Sequence, residues 1–265
     1  MHNEQTAITP NQTAAVSDSR PRPRCRRRPS SQSGQHWDRR VANWDTIAAS
    51  PAFHRLAQEI VVLARPQADD RVVDLGAGTG LLSLAFAPQV RDVVAIDASP
   101  MMLERLAIKA DAAGLGNVRP IVADLRALPL PDESVTLAVS NYAFHHLDDA
   151  GKEVALSEVR RVLAPGGRLV VCDMMFGLSL HRRDRQLIAH KLWLLARKGP
   201  AGWLRIVRNL CRLALRRWEQ PATLEVWQRM LLERQFAGVS VQLLQHEGGI
   251  AIATRPERPA HTSPS

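Results

Sequence analysis

Two acids, Asp74 and Asp97, each close a short apolar run, and between them the chain turns on Gly76, Gly78 and Gly80. Residues 71–82 read Arg-Val-Val-Asp-Leu-Gly-Ala-Gly-Thr-Gly-Leu-Leu, and residues 93–97 read Val-Val-Ala-Ile-Asp. A strand, a tight glycine turn opening a helix, and a carboxylate at the next strand's tip are the parts that hold a ribose-bearing nucleoside. The glycine spacing narrows the choice. The dinucleotide fingerprint G-x-G-x-x-G would need a third glycine where Leu81 stands, and the lysine of a phosphate-binding loop is missing. The spacing therefore points to a nucleoside cofactor without a pyrophosphate.

Residues 72–80, Val-Val-Asp-Leu-Gly-Ala-Gly-Thr-Gly, resemble motif I of the class I S-adenosylmethionine (SAM) dependent methyltransferases. Three further blocks fall in that family's order. They are Ala95-Ile96-Asp97-Ala98-Ser99, then Ala123-Asp124-Leu125 with Leu128-Pro129-Leu130-Pro131-Asp132, then residues 160–169 around Pro165-Gly166-Gly167. The run Asn141-Tyr142-Ala143-Phe144-His145-His146-Leu147 resembles the branch that methylates small molecules, including the ubiquinone and menaquinone C-methyltransferases and sterol or lipid enzymes. The quinone subgroup has a Gly-Leu-Arg-Asn-like run after strand four, whereas this chain has Ala143-Phe144-His145-His146, so the acceptor does not carry over.

The resemblance implies SAM as cofactor and in-line methyl transfer to a small acceptor of quinone, lipid or natural-product type. The backbone N–H groups of Gly76, Ala77, Gly78, Thr79 and Gly80, at a helix N-terminus, are expected to receive the methionine carboxylate. Asp97 should accept from both ribose hydroxyls. Adenine should lie between Leu125 and the region of Ala98 and Met102, with Asp124 accepting from its exocyclic amine. Asn141 should line the same pocket. Asp74 either touches the ligand or orders the turn. Tyr142, His145 and His146 should face the transferred methyl, where a histidine suits the role of general base for a phenolic or enolic acceptor. The alternative for each histidine is local hydrogen bonding. No His/Cys/Asp cluster has metal-ligand spacing, so no metal is expected.

These side chains need a doubly wound α/β frame: a Rossmann-like, seven-stranded sheet, mostly parallel with one antiparallel strand. Mostly continuous apolar runs at 71–75, 93–97, 118–122, 134–140 and 168–173 suit strands covered on both faces. A helix over 51–64 precedes them. Others start at Ser99-Pro100 and end near Gly114 or Gly116, and run over about 149–163 until Pro165-Gly166-Gly167. A last helix over 222–235 and strands at 238–244 and 249–254 complete the pattern. Residues 1–35 are expected to be an irregular Arg/Pro-rich tail, 36–255 the methyltransferase domain and 256–265 a second tail.

An insert over 176–220 is expected to form a basic helical cap. Trp203, Ile206, Val207, Leu210, Leu213 and Ala214 share one helical face, and Arg205, Arg208, Arg212 and Arg216 another. It is either a lid with a solvated arginine face or a cap that also touches an anionic membrane surface. The chain has 265 residues and a net charge of +9, but the tail holds six arginines against two acids and residues 181–218 hold eleven basic groups against one acid. The remainder is mildly acidic, which disfavours an RNA substrate, as does the lack of a [DN]-Pro-Pro-[YF] motif for base amino groups. An RNA methyltransferase using tail and insert, and a non-catalytic SAM-binding module, are the rival readings. Cys25, Cys172 and Cys211 form no CxxC and suit a reducing compartment. With no signal-peptide h-region and no spanning run in the sequence, a cytoplasmic location is expected, with peripheral membrane contact through the insert. The oligomeric state is left open.

Overall fold

A computed structural model describes residues 32–176, 193, 197, 199, 203, 220–244 and 248–258. Its seven strands are β1 (Arg71–Leu75), β2 (Asp92–Asp97), β3 (Val118–Val122), β4 (Val135–Asn141), β5 (Leu163–Met174), β6 (Ala237–Leu243) and β7 (Gly248–Thr254). They stand in the order β3-β2-β1-β4-β5-β7-β6. The first five pair in parallel, and β7 runs antiparallel between β5 and β6. The doubly wound sheet with one reversed strand is the expected fold.

Strand β1 shows why the apolar runs are continuous. Val72, Val73 and Leu75 are all fully buried, yet they belong to different cores. Val72 joins Ile60, Leu82 and Phe86, from helices α3 (Pro51–Ala64) and α4 (Leu81–Phe86). Val73 and Leu75 join Leu156, Val159 and Trp227, from α6 (Asp149–Val162) and α7 (Leu224–Glu233) on the other face. Both sides of the sheet are dry, so neither can afford a polar alternation.

The element boundaries follow local chemistry. Helix α5 (Pro100–Ala112) starts as expected, with Ser99 Oγ accepting from Met102 N at 3.1 Å and Pro100 in the first turn. Strand β5 differs from its expected start at 168. It begins at Leu163, directly after α6, and the Pro165-Gly166-Gly167 stretch becomes an irregularity in its pairing with β4. Backbone bonds from Gly166 N to Arg255 O (2.9 Å) and from Arg255 N to Gly167 O (2.8 Å) hold it in the sheet. At the C-terminal end, Arg258 pairs with Glu133, inside the stretch expected to be an irregular tail.

Two short helices, α1 (Gln32–Asp38) and α2 (Val41–Ala48), precede the sheet. The first begins within the stretch expected to be irregular. Together they form a strap against α5. Asp38 Oδ1 accepts from Ser99 Oγ at 2.6 Å and from Met101 N at 3.3 Å. Asp45 pairs with Arg105 at 2.7 Å and with Lys109. Burial alone would raise the Asp45 carboxyl, but these two cations hold it down to about 2.

The expected cap and its arginine stripe lie almost wholly outside the described residues, as do Cys25 and Cys211. Within the insert, Trp193 and Trp203 are more than half exposed, and the Arg197 guanidinium lies 4.5 Å from the Trp193 ring centre. Among the described residues no helix is long and apolar enough to cross a membrane.

Candidate active site

The 76–80 turn sits at the C-terminal end of β1, between the tips of β2 and β4. Gly76 and Gly78 adopt left-handed backbone (φ 74° and 52°), and both are crowded. A Cβ on Gly76 would overlap that of Ala143, and one on Gly78 would fall 2.9 Å from Trp44 Nε1. The turn is also saturated. Gly76 N and Ala77 N both donate to Ile96 O (2.8 and 2.9 Å), Gly78 N donates to Asp97 Oδ2 (2.9 Å), and Gly80 N donates to Ala77 O (2.9 Å). Four of the five amides expected to meet a carboxylate are therefore engaged within the protein. The turn offers a close backbone surface, not a ring of free donors.

Asp97 is placed as expected. Its Oδ2 accepts from Gly78 N and its Oδ1 from Ser99 N (2.8 Å), so the carboxylate is fixed while each oxygen keeps acceptor capacity. Burial pushes its pKa up, against the pull of these backbone N–H donors. Asp74 has the other role. It is buried off the cavity wall, with Oδ2 accepting from Ser83 N (2.9 Å) and Ser83 Oγ (2.6 Å), and burial raises its carboxyl to about 7. It orders the turn onto α4.

Ala98, Met102, Ala123 and Leu125 line the cavity beside Asp97 and form its apolar slot. Asp124 lines it too, but its oxygens are taken. Arg126 Nε lies 2.9 Å from Oδ1 and Nη2 2.6 Å from Oδ2, and these bonds hold the carboxyl below the usual range. Ala77, Thr79, Gly80 and Asn141 do not reach the wall. Thr79 uses its carbonyl to accept from Lys109 Nζ at 3.2 Å, and Asn141 Oδ1 is buried without a hydrogen-bond partner.

The chain after β4 builds the other end. Tyr142 has φ 55°, a left-handed conformation rare for a bulky side chain, fixed by its N–H donating to Cys172 O at 2.8 Å. It lines the cavity, and burial pushes its phenol up to about 12. His145 and His146 follow on a short 3₁₀ turn with ring centres 3.9 Å apart. His146 is on the wall. Burial first, and then the neighbouring His145, hold its pKa down to about 3, so it is neutral at pH 7.

His145 stands behind it, off the wall, in a buried pair that the sequence reading missed. Its Nδ1 lies 2.5 Å from Asp173 Oδ1, and its backbone N–H donates to Asp173 Oδ2 at 2.9 Å. Asp173 is 1% exposed and also accepts from Met174 N at 2.7 Å. The pair fixes the imidazole's orientation through Nδ1, so Nε2 is the ring nitrogen that Asp173 does not use. The signal in the sequence was an acid at the end of an apolar strand, Leu169-Val170-Val171-Cys172-Asp173.

The strap completes the wall. Trp37 packs on His146 (ring centres 4.8 Å) and on Trp44 (6.2 Å), Trp44 on Phe53 (5.8 Å), and Phe53 on Tyr142 (5.7 Å). The cavity is about 370 Å³, the scale of a small-molecule site. Crowded glycines, a fixed acid and an apolar slot beside it fit a nucleoside cofactor.

Residues 72–167 match the family described as a methyltransferase domain. The chain is 38% identical over 114 residues to the uncharacterized methyltransferase YcgJ of Bacillus subtilis, covering 43% of this chain and 44% of that one. It is 41% identical over 121 residues to the demethylmenaquinone methyltransferase of Thermus thermophilus, covering 45% and 54%. The chain thus spans about half the length of these curated relatives. Among solved structures, the [4+2]-cyclase SpnF superposes with a TM-score of 0.63 at 18% identity over 86% of this chain and 97% of that one. The motif blocks, the strand order and the domain match converge: residues 72–167 form a methyltransferase domain of the class I, SAM-dependent family.

Proposed function

We propose that this protein transfers the methyl group of SAM to a small acceptor that loses a proton, with the Asp173–His145 pair taking that proton up. The observation that carries the reading is the buried 2.5 Å contact between His145 and Asp173, standing behind the cavity wall opposite the Asp97 end. Bound at that end, SAM supplies a methyl group already activated by its sulfonium, displaced in line with the bonding pair leaving on sulfur. What remains for the protein is positioning and proton removal.

Asp97 and the Leu125–Met102 slot fix the nucleoside end. The close-packed backbone at Gly76 and Gly78 brings the ligand against the tip of β4. His146, neutral and on the wall, can hydrogen-bond the acceptor without adding charge. His145 is the ring whose Nδ1 lies against the buried Asp173 carboxylate, which holds the imidazole in the orientation a general base needs. Tyr142 stays protonated and serves as a donor or a flat wall. The named Thermus relative, a demethylmenaquinone methyltransferase, supports a small-molecule acceptor.

The test is transfer of label from methyl-labelled SAM into pools of small phenols and quinols, lipids, and RNA, with calorimetry of SAM on the same protein. Label in a small-molecule pool is the expected result. Label confined to RNA overturns the acceptor class, and tight SAM binding with no transfer into any pool overturns catalysis in favour of a binding module.

A further inference from the structure

The peptide unit between Thr79 and Gly80 is clamped at both ends. Its N–H donates to Ala77 O at 2.9 Å, and its carbonyl accepts from Lys109 Nζ at 3.2 Å. Thr79 is 1% exposed, and a carbonyl so placed needs a donor. Gly80 is left-handed (φ 95°), and a Cβ there would collide with the Leu106 side chain. Leu106 and Lys109, three apart on α5, therefore grip the turn where it bends into α4. The same ammonium pairs with Asp45 of the strap. Trp44, one residue earlier, holds its Nε1 2.9 Å from the place that a Cβ on Gly78 would take. Nearer the start of α5, Asp38 accepts from Ser99 Oγ, and Ser99 N donates to Asp97 at 2.8 Å. The strap thus meets the cofactor turn at three points, and at one of them a single cation joins the two. Arg105 offers a contrast. It also holds Asp45, at 2.7 Å, but among the described residues it makes no hydrogen bond to the turn.

Resting on the methyl-transfer reading, we infer that Lys109 is a positioning residue for the cofactor, making the seating of the strap and the shape of the 76–80 turn one event. A strap that lifts takes Asp45 away from Lys109. The ammonium, on a side chain already 29% exposed, then turns to water, and the Thr79 carbonyl loses its donor. The backbone surface offered to the nucleoside is therefore complete only when the strap covers it. The coupling is reciprocal: if seating the strap tightens cofactor binding by some factor, cofactor binding favours the seated strap by the same factor.

The experiment is run on the full chain with S-adenosylhomocysteine, the demethylated product of SAM. Calorimetry measures its affinity, and hydrogen exchange measures the protection it gives residues 41–48. Lys109→Met should weaken binding about tenfold or more, within the usual range of coupling between sites, and abolish that protection. Arg105→Met should cost no more than about fivefold, the scale of an exposed ion pair, and keep the protection. Should Lys109→Met fail to fold, Asp45→Asn breaks the same link from the strap side and should give both losses. The inference is overturned if folded Lys109→Met binds as the wild type does, if Arg105→Met loses as much as Lys109→Met, or if the ligand leaves exchange over 41–48 unchanged in the wild type. Failure of wild-type protein to bind S-adenosylhomocysteine would instead strike the methyl-transfer reading. The link is then decided on unloaded protein, where Lys109→Met should speed exchange over residues 76–84 and unchanged exchange overturns it.

Discussion

The end of the cavity proposed for the nucleoside is assembled from three neighbouring strand tips, those of β1, β2 and β3, whereas the end proposed for the acceptor is assembled from four separate stretches of chain. Asp97 reaches Gly78 because β1 and β2 pair in parallel register, Leu75 beside Ile96, which puts one strand's turn against the next strand's last residue. The acceptor end needs α1 and α2, the tip of β4, the end of β5 and Gln220, whose N–H donates to His145 O at 2.7 Å. A site made of adjacent strand ends repeats wherever the fold repeats. A site made of distant pieces can vary while the fold stays fixed.

The comparison can be broken hardest at the acceptor end. Asp173→Asn and His145→Ala should each lower turnover on the true acceptor by about 10²–10⁴-fold, with SAM affinity nearly unchanged. His146→Phe should cost far less, since that ring is neutral and a flat replacement keeps the wall. Steady-state kinetics with calorimetry decide it. Equal losses at His145 and His146 would remove the distinction drawn between them.

At the nucleoside end the sharpest probe is Asp97→Ala. Loss of a charged acceptor should weaken SAM binding by about 1.5–3 kcal/mol. Asp124→Asn should change affinity by less than about 1 kcal/mol, because that carboxylate is partly exposed and already paired with Arg126. A larger loss at Asp124 than at Asp97 would reverse the roles assigned to them.

The smallest effect contrasts two buried titratable groups, one below each end. Asp74 goes from an ordinary value of 3.8 up to about 7 on folding, so its stabilising contribution is full below pH 4 and lost as pH rises through 7. His146 goes from 6.5 down to about 3, so its contribution is full above pH 6.5 and lost as pH falls through 3. The two slopes oppose each other over pH 4–7. Asp74→Asn should leave a Tm that rises with pH across this window, and His146→Phe one that falls. Parallel curves for both variants and the wild type would show that neither group titrates as described.

How much of this was legible follows the same division. The strands, the reversed β7, the Ser99 cap and the place of Asp97 all rest on short-range patterns, namely apolar runs, Gly and Pro signals and an acid at a strand tip. Asp74 was left between two roles, and only its bonds to Ser83 settle that it orders the turn. The turn amides looked available in sequence because nothing local reveals that Ile96 O and Asp97 already use them. Asp124 looked free for the same reason, though Arg126 is only two residues away.

By itself, the sequence determined the doubly wound sheet, the nucleoside cofactor without a pyrophosphate, and the loop from which chemistry would come. Only the tertiary structure decided which histidine meets a carboxylate, 28 residues away on the neighbouring strand, and that two tryptophans from the N-terminal strap close the cavity. The physical reason is range. Backbone conformation and strand pairing are dictated by neighbours in sequence and by a repeating hydrogen-bond register, so local residue types encode them. Side-chain contacts between distant elements depend on how the faces of those elements pack, and no local pattern along the chain encodes that packing.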